Sequence, residues 1–133
     1  FAAWKQALAR TDGPTTITLS RQALPFIETS SEEGVSKGAY IISKEDKNAD
    51  LIIIATGSEV SLALKVKEAC KGKKDIRVVS MPSWELFEKQ SDEYKTSVLG
   101  DNKDKVMSLE MMSTFGWQKY AKYNYGIKLK FLK

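Results

Sequence analysis

The sequence predicts an α/β fold, a three-layer αβα sandwich with a mostly parallel, mixed sheet. Three observations point there. Leu51–Ala55 is an unbroken apolar run with three isoleucines, the composition of a strand buried on both faces. A turn at Gly57 follows, then Leu62, Val66 and Ala69 at helical spacing, and a helix stop at Gly72. From residue 39 onward strand patterns alternate with helix patterns, which favours parallel strands joined by right-handed crossovers.

The remaining elements follow in order. Residues 2–10 are mostly good helix formers, and Thr11-Asp12-Gly13-Pro14 breaks them off. Residues 15–19 alternate Thr with Ile17 and Leu19, a strand pattern. That pattern puts Ser20-Arg21-Gln22 at a strand's carboxyl end, where α/β folds usually bind ligands. The polar stretch 25–34 reads as a linker and a domain boundary. Residues 39–43 form a short strand and 44–49 a charged turn. Thr56 and Glu59 have the spacing of a capping box for the helix after Gly57, and Ser58 is a second candidate N-cap. Residues 76–81 form a third strand, ended by Pro82. Ser83 and Ser91 cap two further helices, the second closed by Gly100. Residues 105–111 form a fourth strand. Ser113 or Thr114 caps a last helix containing Trp117, Tyr120 and Ala121, broken by Gly126. Ile127, Leu129 and Phe131 then alternate with lysines as a basic strand.

Composition narrows the function. A length of 133 residues suits one domain, or one domain and a flanking piece. The net charge of +4 is modest, and its lysines lie among acidic residues without a recognition motif, which argues against a nucleic-acid partner. Cys70 is the one cysteine, so no internal disulfide can form and a reducing cytoplasm is expected. No apolar run approaches the ~18 residues of a membrane span, and no signal peptide is visible. The first residue is Phe1, so the sequence is expected to begin inside a longer polypeptide. Histidine is absent, which removes Ser-His-Asp and Cys-His sites. With a single cysteine, it also argues against structural zinc.

Several residue groups are candidates for chemistry. Thr56-Gly57-Ser58-Glu59 sits where a dinucleotide fold holds phosphate. It has one glycine and no following lysine, so a structural turn is the simpler reading. Arg21 presents a planar fork of donors suited to phosphate or carboxylate, and the Ser20 hydroxyl adds a donor beside it. The plain alternative is an exposed arginine in a surface ion pair. Asp46, Asp50, Glu59 and Glu110 lie near strand ends, but no spacing pairs them. Trp84, Phe87, Trp117 and Tyr120 fit core or interface roles, and Cys70 an inert packing role.

Four stretches together resemble transketolase. They are Leu19-Ser20-Arg21-Gln22-Ala23-Leu24-Pro25, Ala55-Thr56-Gly57-Ser58-Glu59-Val60, the thirteen residues 78–90 (VVSMPSWELFEKQ), and Ser113-Thr114-Phe115-Gly116-Trp117. The resemblance implies that residues 1–33 are the tail of a pyrimidine-binding domain with its linker. It implies that residues 34–133 are a carboxyl-terminal domain, expected to be truncated at its end. It further implies transfer of a two-carbon ketol unit between sugar phosphates, in the non-oxidative pentose phosphate pathway. Thiamine diphosphate and magnesium would be the cofactors and a homodimer the working state, with cofactor, metal and catalytic residues outside this stretch. Arg21 corresponds to the family's contact to the substrate phosphate, with Ser20 a weaker candidate. The chain alone is then expected to be inactive, with a structural or assembly role. After Tyr120 the sequence departs from the family pattern, so a final helix is expected to be missing and a sheet face bare. The alternative reading is a non-catalytic module that binds a small anion or nucleotide at Gly57-Ser58, or serves assembly.

Overall fold

The computed structural model describes residues 1–127. The expected alternation at Leu129 and Phe131 lies outside them. Helices α1 (Ala2–Ala9) and α2 (Glu32–Ser36) precede a five-stranded sheet. Its strands are β1 (Tyr40–Ser43), β2 (Leu51–Ala55), β3 (Ile76–Ser80), β4 (Val106–Ser113) and β5 (Tyr123–Ile127), in the order β1-β3-β2-β4-β5. β1 runs antiparallel to β3, and β3, β2, β4 and β5 pair in parallel. The apolar run at Leu51 is thus the central strand.

Its alternate side chains feed two cores. Ile52 and Ile54 pack with Val79, Phe87, Val106 and Trp117 on one face. Ile53 and Ala55 pack with Val60, Ala63, Val78 and Leu109 on the other. Helix α3 (Glu59–Ala69) covers the second face, while α4 (Trp84–Glu88) and α5 (Asp92–Leu99) cover the first. Burial on both faces by helices is what the parallel strands require. No helix among the described residues is long and apolar enough to cross a membrane.

Hydroxyl caps set the helix starts on the first face. Ser83 accepts from the Leu86 amide at 3.3 Å and Ser91 from the Tyr94 amide at 3.3 Å, as expected. Ser83→Ala should cost about 1 kcal/mol of stability, read from urea unfolding of the chain. An aromatic cluster forms behind α4. Trp84 meets Trp117 edge-on with ring centroids 5.0 Å apart, and Phe87 meets Tyr120 at 6.0 Å. The four aromatics named from sequence are packing residues.

Five expectations are corrected. Residues 15–19 form no strand, because no strand lies beside them to complete a ladder, and Leu19 is 72% exposed. The stretch 25–34 is not wholly a linker: Ser31 caps α2 through the Gly34 amide at 3.0 Å. The capping box is not formed. Ser58 already has helical backbone angles, and its hydroxyl donates to Glu59 Oε1 at 2.9 Å instead of accepting from the helix. The last helix is a single 3-10 turn over Trp117–Lys119. The ladder claims the chain soon afterwards, with the Lys122 amide donating to the Val106 carbonyl at 3.1 Å. For the same reason β5 begins at Tyr123 and contains Gly126, the expected breaker. Tyr123, Tyr125 and Ile127 are exposed on it.

Candidate functional site

β2 delivers the Thr56-Gly57-Ser58 turn at the middle of the sheet's carboxyl edge. The Glu59 amide donates to the Thr56 carbonyl at 3.2 Å, and the Val60 amide to the Gly57 carbonyl at 3.4 Å, closing the turn into α3. Gly57 has φ +55°, a conformation that glycine adopts without steric cost. The Glu59 carboxylate stands at the start of α3 beside the Ser58 hydroxyl. There it complements the helix dipole and puts negative charge where an anion would bind. This weighs against the nucleotide or small-anion reading of Gly57-Ser58.

An open cleft of about 420 Å³ lies along the same edge, lined among others by Thr56, Ser83, Trp84, Glu110, Met112 and Phe115. Glu85 and Glu110 border it, so its charge also opposes phosphate.

The two sequence motifs approach each other here: a Cβ built on Gly57 would lie 3.9 Å from the Ser20 hydroxyl oxygen, so Ser20 stands near the turn. Sequence spacing carries no signal of this, since 37 positions separate the two residues. Arg21 follows, exposed, and forms no ion pair among the described residues. The surface ion pair weighed against its phosphate role is therefore absent among those residues.

The other candidates are not brought together for chemistry. The Asp50 carboxylate accepts from the Asp75 amide at 2.9 Å, and Glu110 accepts from the Met112 amide at 3.0 Å. The Asp46 amide donates to the Asp75 carboxylate at 2.9 Å, and the two donors from Asp46 and Lys47 hold the Asp75 carboxyl below its usual range. These carboxylates fasten turns. Cys70 packs beside the core under α3. No group of three or more His, Cys, Asp and Glu residues among the described residues could hold a metal ion.

One strong ionic contact has no motif. Glu45, from the charged turn, receives both Arg77 Nε, at 2.8 Å, and Arg77 Nη2. Arg77 Nη1 donates to the carbonyls of Ser97 and Val98 at 2.9 and 3.0 Å. The Arg77 hydrogen bonds hold the Glu45 carboxyl down at about 2.

A family model described as the transketolase-like TK C-terminal domain matches residues 38–129. The chain belongs to the transketolase family. It is 52% identical over 125 residues to the transketolase of Bacillus subtilis, covering 90% of this chain and 19% of that protein. It is 48% identical over 127 residues to that of Scheffersomyces stipitis, covering 95% of this chain and 18% of that one. Among solved structures, transketolase from Leishmania mexicana superposes with a TM-score of 0.90 at 42% identity, covering 95% of this chain and 18% of that one. A Pichia stipitis transketolase in complex with sedoheptulose 7-phosphate gives 0.90 at 47%, covering 96% and 19%. This transketolase-family chain thus spans about a fifth of the length of the relatives it matches.

Proposed function

We propose that the chain forms the carboxyl-terminal part of a transketolase. The intact protein transfers a two-carbon ketol unit between sugar phosphates in the non-oxidative pentose phosphate pathway, working as a cytoplasmic homodimer. Residues 1–33 belong to the pyrimidine-binding domain and its linker, and residues 34–133 to the carboxyl-terminal domain. The thiamine diphosphate–magnesium centre that the transketolase resemblance implies is assigned to the rest of the polypeptide, and this stretch alone is inactive.

Arg21 is the substrate contact. Its guanidinium presents paired donors to the sugar's terminal phosphate, with charge and geometry that a lysine does not reproduce. Such a contact holds the end of the substrate remote from the reacting carbon and so sets its position. The supporting observation is the 47% identity, at a TM-score of 0.90, to a transketolase crystallised with a sugar phosphate. An exposed arginine in the Ser-Arg-Gln stretch, without an acidic partner among the described residues, is compatible with it.

The test is Arg21→Ala in the full-length protein. KM for phosphorylated donors should rise about tenfold or more, the scale of a lost charge-assisted contact, while non-phosphorylated donors change little. Arg21→Lys should recover only part of the loss. Equal loss on both donor types would remove the phosphate role.

A further inference from the structure

β4 outruns its neighbour in the sheet. Ala55, the last residue of β2, pairs with Leu109, and β4 continues to Ser113. The two chains then part to opposite faces. β2 leads into α3 over the second core, and β4 leads to Trp117 in the first. Loops that diverge from adjacent parallel strands open a crevice at the carboxyl edge of the sheet, the usual ligand position in such folds. The cleft of about 420 Å³ lies at this edge. Its size falls in the small-molecule range of roughly 300–1,000 Å³.

The lining is chemically one-sided. Trp84, Phe115 and Met112 give it aromatic and thioether walls. Trp84 is held edge-on to the buried Trp117, whereas Phe115 and Met112 are 84% and 64% exposed. Among the described residues, Glu85 and Glu110 are the only charged ones that line it. Each carboxylate is fixed through one oxygen. Glu85 Oε2 accepts from the Ser83 hydroxyl at 3.1 Å, and Glu110 Oε1 from the Met112 amide at 3.0 Å. The second oxygen of each has no hydrogen-bond or ion-pair partner among the described residues. Two oriented carboxylates without a cationic partner, beside aromatic surface, are complementary to a positive charge on an apolar body.

We propose that this cleft binds a small organic cation, a primary or quaternary ammonium group carrying an apolar substituent. The ammonium faces the free oxygens of Glu85 and Glu110, and the substituent rests on Phe115 and Trp84. The inference does not rest on the reading of Arg21 as the phosphate contact.

The probe is benzyltrimethylammonium chloride, titrated into the full chain and followed by proton–nitrogen correlation NMR. Saturable shifts are expected at the Trp84 indole and at the Met112 and Phe115 amides, with a Kd on the order of 1 mM, as suits an open site. Benzyl alcohol, which keeps the ring and lacks the charge, and benzoate, which reverses it, should bind at least several-fold more weakly. The double variant Glu85→Gln, Glu110→Gln removes two exposed charge contacts and should weaken binding of the ammonium about tenfold. Phe115→Ala should weaken it several-fold. Phe115 is exposed, so this variant keeps the test open if the double variant fails to fold. Shifts that sodium chloride alone reproduces, or no saturable shift at these residues, would overturn the proposal. Equal binding of benzyl alcohol would do the same, as would unchanged affinity in the folded variants.

Discussion

Gly38→Ala should destabilise the chain by about 3–5 kcal/mol, combining left-handed backbone strain with overpacking against rigid atoms. Gly38 joins α2 to β1 at φ +83°. A Cβ there would lie 2.2 Å from the Phe87 amide nitrogen and 2.4 Å from the Ser83 carbonyl oxygen. Both are backbone atoms, so no side chain can swing aside. The Gly38 carbonyl also accepts from the Ser83 amide at 3.0 Å, which locks the start of α4 onto this residue. Relief would require α4 to move, taking the fully buried Phe87 with it. Urea unfolding of the chain measures the loss, and a cost below about 1 kcal/mol would mean that the close approach is not real.

The second large effect is acid sensitivity from Glu45 and Arg77. Their side chains are only 6% and 14% exposed, so the pair is shielded from solvent. The Glu45 carboxyl sits near 2 in the folded chain, against an ordinary 4.5, chiefly through the Arg77 hydrogen bonds. A depressed folded value stabilises fully above the unfolded one. The contribution, about 3 kcal/mol, is therefore present above pH 4.5 and lost as pH falls toward 2. Glu45→Ala should cost about 3 kcal/mol at neutral pH, because Arg77 keeps its charge and loses its partner. Unfolding free energies between pH 7 and pH 2 should show a shallower acid slope for Glu45→Ala. An unchanged slope would place the acid sensitivity elsewhere.

Legibility followed the range of the interactions. β2 and α3 could be read because their signals are local: one apolar run, one helical stripe, one glycine stop. Ser83 and Ser91 announced α4 and α5 for the same reason. α2 was hidden by the polar residues at its start, which read as linker, and its Gly34 is there for packing, since a Cβ would fall 2.3 Å from the Tyr40 ring. Residues 15–19 have strand chemistry without a strand partner, and only tertiary structure supplies or withholds the partner. The bond between Glu45 and Arg77 spans 32 positions, and 37 separate Ser20 from the Gly57 turn near it, so neither proximity has a local signature. Of the site, Arg21 was legible as a residue type at a motif, whereas the turn near its neighbour Ser20 was legible only as a helix start.

The central claim is that Arg21 binds the phosphate of the substrate. A crystal structure of the full-length protein with a bound sugar phosphate tests this most directly. The account predicts the phosphate oxygens within hydrogen-bond distance of the Arg21 guanidinium. A phosphate held elsewhere, with Arg21 turned to solvent, would contradict it.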